Sequence, residues 1–488
     1  MPDDKVRASI DTHLVLRLSD LPNDTLRELR KRFTRANPKF FKAQNMGFST
    51  WGIEPKISAW EEDDQFLYLP RGAVRDVESI LDAADLKLDA KDRTISKVRA
   101  GLEFIGSLRP YQDPAVRALF KQKYGGILRG PPGSGKTVIL LGAIALLDRP
   151  TLVIVHNRAL MDQWREATGR FLGIAPGNIG GGRKESIKPV TISMQQSLWR
   201  KSKNPPPWVK EFEVIVGDEV HHWAASTFQA VAGMFGARLR LGASADERRK
   251  DGMDWLVRDT FGPVVHEISK ENLIGLKRLV PIEMDIHATE YTDGLYLDSV
   301  RGGESPDWSN MLTRMVENEE RNRHILRVVL DVLDDPGARV LMLNERVNAC
   351  CDWVDVFRSR GISAGLLIGG ASNRRELARA KAGLQSGKVR IGLGTTVADE
   401  GLDIPALTHV VLTCPVHSHP KRLEQMVGRC ARPWENKKIG RAVYFWDQWM
   451  FPPWPLDDQF TGAKRKRAEA TILKRLASAV STTRLIEE

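Results

Sequence analysis

The sequence predicts an α/β protein with two parallel-sheet domains in tandem behind a small α+β N-terminal domain. Three observations carry this. Short apolar runs at 126–129, 151–155, 190–193, 213–217 and 238–242 alternate with helical stretches, the pattern of a parallel sheet covered by helices. A second set follows at 339–343, 363–368, 389–393, 408–413 and 441–446. The first hundred residues lack that rhythm and mix strand-like and helix-like stretches. The expected division is an N-terminal domain at 1–105, α/β domains at 106–280 and 321–452, a connecting segment at 281–320, and a basic tail at 453–488 with KRKR at 464–467 and a helix-like end.

In the N-terminal domain, residues 12–18 (THLVLRL) alternate as a strand does. Thr25 and Glu28 have the spacing of a capping box, with Leu26, Leu29 and Phe33 on one helix face and Arg30, Lys31 and Arg35 opposite. Trp51 to Leu69 reads as short strands with a turn at Glu61–Asp64, and a second helix is expected near 72–86.

Composition narrows the function. At 488 residues, with 42% hydrophobic and 28% charged side chains, the chain can bury several cores without metal or disulfide staples. It has no run of 18 apolar residues, so no membrane partner is expected. The start MPDDKVRASIDTH lacks a secretory h-region. Cys350, Cys351, Cys414 and Cys430 fit neither paired metal spacing nor a disulfide framework. A cytoplasmic location is expected. The net charge of +11 points to a polyanionic partner. Residues 1–107 are neutral, with 18 basic and 18 acidic side chains, so the excess lies beyond them. Within that neutral part, residues 27–42 carry seven basic groups against Glu28 alone.

The chemistry is concentrated in a few motifs. Gly130-Pro-Pro-Gly133-Ser134-Gly135-Lys136-Thr137 lies between an apolar strand and a helix. Glycines at this spacing let backbone N–H groups close around a β-phosphate, and the helix N-terminus adds its dipole. Lys136 is expected to reach the β/γ-phosphates of ATP, and the Thr137 hydroxyl to ligate Mg²⁺. About 80 residues later, Val214–Gly217 delivers Asp218 and Glu219 at a strand end, where open α/β sheets bind ligands. Asp218 can hold Mg²⁺, and Glu219 can orient and deprotonate a water.

Asp218-Glu219-Val220-His221 after GPPGSGKT resembles motif II of a superfamily 2 helicase. Thr395-Thr396 with Asp399-Glu400-Gly401-Leu402-Asp403 resembles motif V, and Gln425 to Arg432 fits motif VI, QxxGRxxR. Arg109 and Gln112 lie in a segment similar to the adenine-reading stretch. Arg158, Gln195 and Asn344 fall in stretches resembling motifs Ia, Ib and IV. Order and spacing resemble the XPB/UvsW-like DNA helicases and the helicase halves of type III restriction systems. Asn37–Met46 and Tyr68–Gly72 are similar to an accessory domain of phage and bacterial members, and Glu317–Asn322 to the start of the second motor domain.

The resemblance implies two RecA-like domains with ATP between them. The catalytic set would be Lys136, Asp218, Glu219, Arg429 and Arg432, the arginines acting as arginine fingers do. Nucleotide contacts would come from Arg109, Gln112, Gly133, Ser134, Gly135, Lys136, Thr137, Gly401, Asp403 and Gln425. The implied partner is single-stranded, forked or branched DNA in repair, recombination or genome defence. Arg158, Gln195, Asn344, Thr395 and Thr396 are its expected contacts, and Arg30 and Lys31 are added from the charge pattern. Two alternatives stay open: an RNA helicase, and an ATP-switched DNA-binding motor subunit of a larger nuclease or defence complex; a nuclease or repair partner is a further expectation. The chain departs from the family at motif III, where Ser-Ala-Thr-Pro is replaced by Ser244-Ala245-Asp246-Glu247. Coupling is assigned to His221, Ser244 and Asp246; two readings of Asp246 stay open, one in which it accepts a hydrogen bond from His221 and one in which it points to solvent and starts the next loop.

Overall fold

The computed structural model describes residues 4–45, 49–182, 184–222, 230–245, 253–301, 307–369, 373–395, 404–415, 420–447, 450 and 479–486. They form two compact units, Met1–Ser269 and Lys270–Glu488. Among the described residues no helix is long and apolar enough to cross a membrane.

The first unit contains the N-terminal domain and the first α/β domain. The N-terminal sheet runs in the order Glu61–Glu62, Phe66–Leu69, Leu14–Arg17, Lys5–Ile10, Lys87–Asp92; its pairings are antiparallel except the last. Its core gathers Val6, Leu14, Leu16, Leu29, Phe33, Leu67, Val77 and Leu81. Leu29 and Phe33 are buried as their spacing predicts. The capping box does not form. The helix starts three residues early, at Asn23, because the Pro22 carbonyl accepts from Leu26 N–H at 2.9 Å, and Thr25 is buried inside it. The second helix is Val74–Asp82, shorter than expected.

Tyr68–Gly72 docks this domain onto the next. Arg71 is fully buried and donates to the carbonyls of Asp11, at 2.8 Å, and Arg238, at 3.1 Å. Burial, then the charge of Arg240, pushes its pKa well down. A Cβ on Gly72 would lie 2.6 Å from both Asp259 O and Gly262 N, so only glycine lets the two backbones meet. Arg32 adds an ion pair to the buried Asp259 at 3.0 Å.

The first α/β sheet has seven parallel strands in the order Gly177–Ile179, Val190–Met194, Thr151–Val155, Val214–Gly217, Leu239–Ser244, Gly125–Arg129, Val264–Glu267. All five expected strands are present. The two unforeseen ones lie at the edges, where short segments with little apolar character suffice.

The second unit repeats the design, with seven parallel strands ordered Ala364–Leu367, Ile391–Thr395, Val340–Asn344, His409–Leu412, Gly440–Asp447, Ile282–Thr289, Thr482–Ile486. Two expectations are corrected here. The segment 281–320 is more than a connection: Ile282–Thr289 pairs with Gly440–Asp447 along its whole length. The end of the basic tail is a strand, not a helix, and joins the same sheet through Ile282–Thr289. Its alternating burial leaves one face wet, so no continuous apolar run marks it. The KRKR run lies outside the described residues.

Arg321 anchors this unit. It is almost fully buried, pairs with Asp447 at 2.6 and 3.1 Å and donates to the Thr413 carbonyl. Thr289 also donates to Asp447, at 2.6 Å. Removing one partner of such a pair leaves an uncompensated buried charge, at a cost of about 3–5 kcal/mol. Arg321→Ala is therefore expected to lower the unfolding free energy of the second unit by that much, seen as a lower urea midpoint. An unchanged midpoint would mean that Asp447 is solvated in the folded state.

Candidate active site

Three elements of the first unit converge at the carboxyl edge of its sheet. Strand Gly125–Arg129 leads into the glycine-rich loop and then helix Lys136–Leu147. Two strands away, Val214–Gly217 ends in Asp218 and Glu219. Between them lies Leu239–Ser244, whose end carries Ser244 and Ala245. Parallel pairing brings all three ends to one side.

The loop needs its glycines. Gly133 and Gly135 have φ of +82° and +78°, where L side chains are strained. A Cβ on Gly135 would also lie 2.5 Å from the Gln112 amide. Gln112 is buried and accepts from the Arg109 backbone N–H at 3.0 Å, while Tyr111 Oη donates to the Ser134 carbonyl at 3.1 Å. The expected Arg109 and Gln112 segment is thus packed against the loop. Ser134 Oγ is buried with no hydrogen-bond partner among the described residues. A buried hydroxyl lacking a partner beside left-handed glycines fits a loop shaped for phosphate oxygens. Thr137 is half-buried in the first helical turn.

Lys136 is almost fully buried; its Nζ donates to Gly130 O at 2.9 Å and lies 3.5 Å from Glu219 Oε1. Asp218 is buried. It accepts from the Trp164 indole N–H at 2.7 Å and from the Glu219 backbone N–H at 2.9 Å. Burial, then the neighbouring Glu219 charge, pushes its pKa up to about 6, against the pull of Trp164 and Lys136. Glu219 sits at φ +46°, a left-handed conformation uncommon for a non-glycine residue. That backbone position turns its carboxylate to Lys136 on one side and to Ala245 N–H, at 3.3 Å, and His221 Nδ1, at 3.4 Å, on the other.

His221 Nδ1 also lies 2.7 Å from Ser244 Oγ. Ser244 O accepts from Gly130 N–H at 3.1 Å, so the motif III strand touches both the phosphate loop and the acidic pair. Two of the three residues assigned to coupling, His221 and Ser244, thus lie together. Asp246, which completed the coupling expectation, lies outside the described residues, as do Thr396, Gly401 and Asp403. The role of Trp164 as a donor to Asp218 was missed. Its signal was available: Leu160, Met161, Trp164, Thr168 and Leu172 form the buried face of helix Arg158–Leu172, and a buried indole N–H usually finds a partner.

The expected nucleic-acid contacts divide. Arg158 is half-exposed in the first turn of its helix, capped by Asn157. Lys31 is exposed. Arg30 is half-buried and forms a bidentate pair with Glu62 at 2.7–3.0 Å. Gln195 and Asn344 are buried rather than presented. Asn344 bonds to Thr413 Oγ1 at 3.0 Å and caps the turn to Arg346, because a polar side chain at a buried strand end must find internal partners. Thr395 ends its strand nearly buried. In the second unit, Gln425 lies half-buried on helix Pro420–Val427, and Arg429 and Arg432 on and just after the turn Gly428–Ala431.

Residues 105–247 match the family of the type III restriction enzyme res subunit, and residues 321–433 the helicase conserved C-terminal domain. The chain belongs to the superfamily 2 helicases, in the XPB and type III restriction group. DNA 3'-5' translocase XPB2 of Sulfurisphaera tokodaii is 27% identical to this helicase over 68% of the chain and 80% of that protein. Probable helicase D10 of Escherichia phage T5 is 24% identical over 64% of the chain, which spans 65% of the phage protein, just under two thirds. A fragment of a putative HsdR subunit of a type I restriction enzyme from Vibrio vulnificus YJ016 shares the fold of the helicase, with a TM-score of 0.55 and 14% identity over 96% of this chain and 84% of that one.

Proposed function

We propose that the chain is an ATP-dependent DNA helicase or translocase acting on single-stranded, forked or branched DNA. The observation that carries this is the contact of Lys136, Glu219, His221 and Ser244 in one cluster beside the phosphate loop. It joins a nucleotide-charge sensor to the strand that leaves motif III. Lys136 exchanges its Gly130 and Glu219 contacts for phosphate oxygens. Glu219 takes a proton from the attacking water, and the Ala245 N–H and His221 hold its other oxygen in place. Thr137 and Asp218 are the residues that would hold Mg²⁺, which neutralises developing phosphate charge when bound. Arg429 and Arg432 are proposed to stabilise the γ-phosphoryl oxygens in the transition state. An arginine finger is worth on the order of 10³-fold or more in kcat, so Arg432→Ala is expected to lower kcat far more than ATP affinity. A variant that loses affinity yet turns over normally at saturation would reduce Arg432 to a ground-state contact.

The activity test is ATP hydrolysis measured side by side with single-stranded DNA, forked DNA, a four-way junction and RNA. Stimulation by DNA is expected. Stimulation that requires the 2′-hydroxyl would overturn the DNA reading. The exposed cations Lys31, Arg35 and Lys39 are proposed to hold phosphates. Reversing all three to Glu should weaken DNA binding and flatten the slope of log K against log salt by about 0.7–0.9 per lost contact. An unchanged slope would return them to a solvated surface.

A further inference from the structure

Residues 27–56 hold eight basic side chains against Glu28 and Glu54. The excursion between strands Thr34–Ala36 and Lys56–Ser58 is pinned at its base by Asn37. Its backbone N–H donates to Pro55 O at 2.9 Å and its buried side chain to Glu54 O at 2.7 Å. Farther out, Ile53 N–H donates to Thr50 O at 3.0 Å, closing a turn with Gly52 at φ +74°. That is the geometry of a type II turn, with glycine in the position that requires positive φ. Its corner residue is Trp51, 93% exposed. An indole normally contributes 150–250 Å² of burial, so here a large apolar side chain is displayed to solvent on a hydrogen-bonded corner. Phe41, on helix Pro38–Asn45 of the same excursion, is 42% exposed. Lys39, on the same helix, and Lys56, at the end of the excursion, are exposed, as are Lys31 and Arg35 before it.

An aromatic face among cations is the chemistry that binds single-stranded nucleic acid: cations follow phosphates while a base stacks on the ring. A protein groove or a lipid surface would call for a continuous apolar face, whereas here the aromatics project singly.

The excursion is also tied to the motor. Ile57 and Ala59 pack on Met253, Trp255 and Leu256, and the Arg35 guanidinium lies 5.4 Å over the Trp255 ring. Helix Asp254–Phe261 follows motif III in the chain.

We propose that Trp51 is a stacking platform for the first unpaired base at a DNA fork, with Lys39 and Lys56 on the flanking phosphates. The assignment rests on the DNA-motor reading above for its biological use, but its test does not. Forked DNA carrying 2-aminopurine at the first unpaired position is titrated, without nucleotide, into wild type, Trp51→Ala and Trp51→Phe. Trp51→Ala is expected to melt as wild type does, since the side chain is exposed. It should bind the fork roughly five- to hundredfold more weakly and lose the 2-aminopurine quench, while Trp51→Phe recovers most of both. Binding of a blunt duplex should be equal in all three. Equal fork affinity and equal quench in wild type and Trp51→Ala would overturn the proposal, as would failure of the wild type to bind the fork. A fork made of RNA bound more tightly, with the same dependence on Trp51, would overturn the assignment to DNA. Wild type that binds the fork through Trp51 but shows no DNA-stimulated hydrolysis would sink the motor reading and leave this one standing.

Discussion

Glu219→Gln should bind ATP with wild-type affinity and hydrolyse it on the order of 10²–10⁴-fold more slowly, the usual worth of a positioned general base. Three features of the site lead to this. The carboxylate is held by Ala245 N–H and His221 on one oxygen, leaving the other toward Lys136. Its backbone at φ +46°, uncommon for a non-glycine residue, sets that orientation. Glutamine keeps the shape and can still accept from Ala245 N–H, but its amide takes no proton from water. Nucleotide binding, read by equilibrium titration, and turnover, read by phosphate release, should therefore separate. Turnover at the wild-type rate would remove Glu219 from the proton path and leave it as a partner of Lys136 alone.

The same geometry explains what sequence could and could not reveal. The phosphate loop and the acidic pair are local in sequence, and each follows a strand whose apolar run is unmistakable. Their convergence follows from parallel topology, so both were legible. The contacts between motifs were not. Trp164 reaches Asp218 from a helix 54 residues earlier, and no local spacing encodes that distance. Gln195 and Asn344 mark the opposite failure. Polar residues at strand ends look like ligand contacts in sequence, yet here they are buried, and Asn344 serves the internal hydrogen bonding of its own turn. The strands Ile282–Thr289 and Thr482–Ile486, the second at the sheet edge, escaped because Glu283, Asp285, His287 and Arg484 interrupt their apolar pattern. Arg484 pairs with Asp285 at 2.9 Å across the two strands, so charge pairing replaces apolar burial on that face. Arg71 and Gly72 stood out in sequence only as part of a resemblance. Their physical role is docking: a buried guanidinium on two carbonyls and a glycine where a Cβ would strike backbone.

Lys136→Ala should abolish ATP hydrolysis and weaken nucleotide binding, because its ammonium is the buried positive charge beside the loop that would face the β/γ-phosphates. The loss has a second consequence that needs no nucleotide. Asp218 is buried beside Glu219, and its pKa is raised to about 6 even with Lys136 pulling it down. A carboxyl whose folded pKa lies above its unfolded value near 3.9 favours folding while protonated. That contribution is fully present below about pH 4 and is lost as pH rises through about 6. Removing Lys136 takes away one of the three influences that keep Asp218 ionised, beside the Trp164 and Glu219 N–H bonds, and pushes its folded pKa higher still. The pH window over which stability falls should then extend upward. Thermal melting without nucleotide should show Lys136→Ala close to wild type at pH 5 and clearly below it at pH 8. Added Mg²⁺ should narrow the gap at pH 8, where the unneutralised carboxylates would take a cation. A constant difference between the two proteins from pH 5 to 8 would mean that Lys136 does not compensate the acidic pair, and its effect on hydrolysis would then lie in phosphate binding alone.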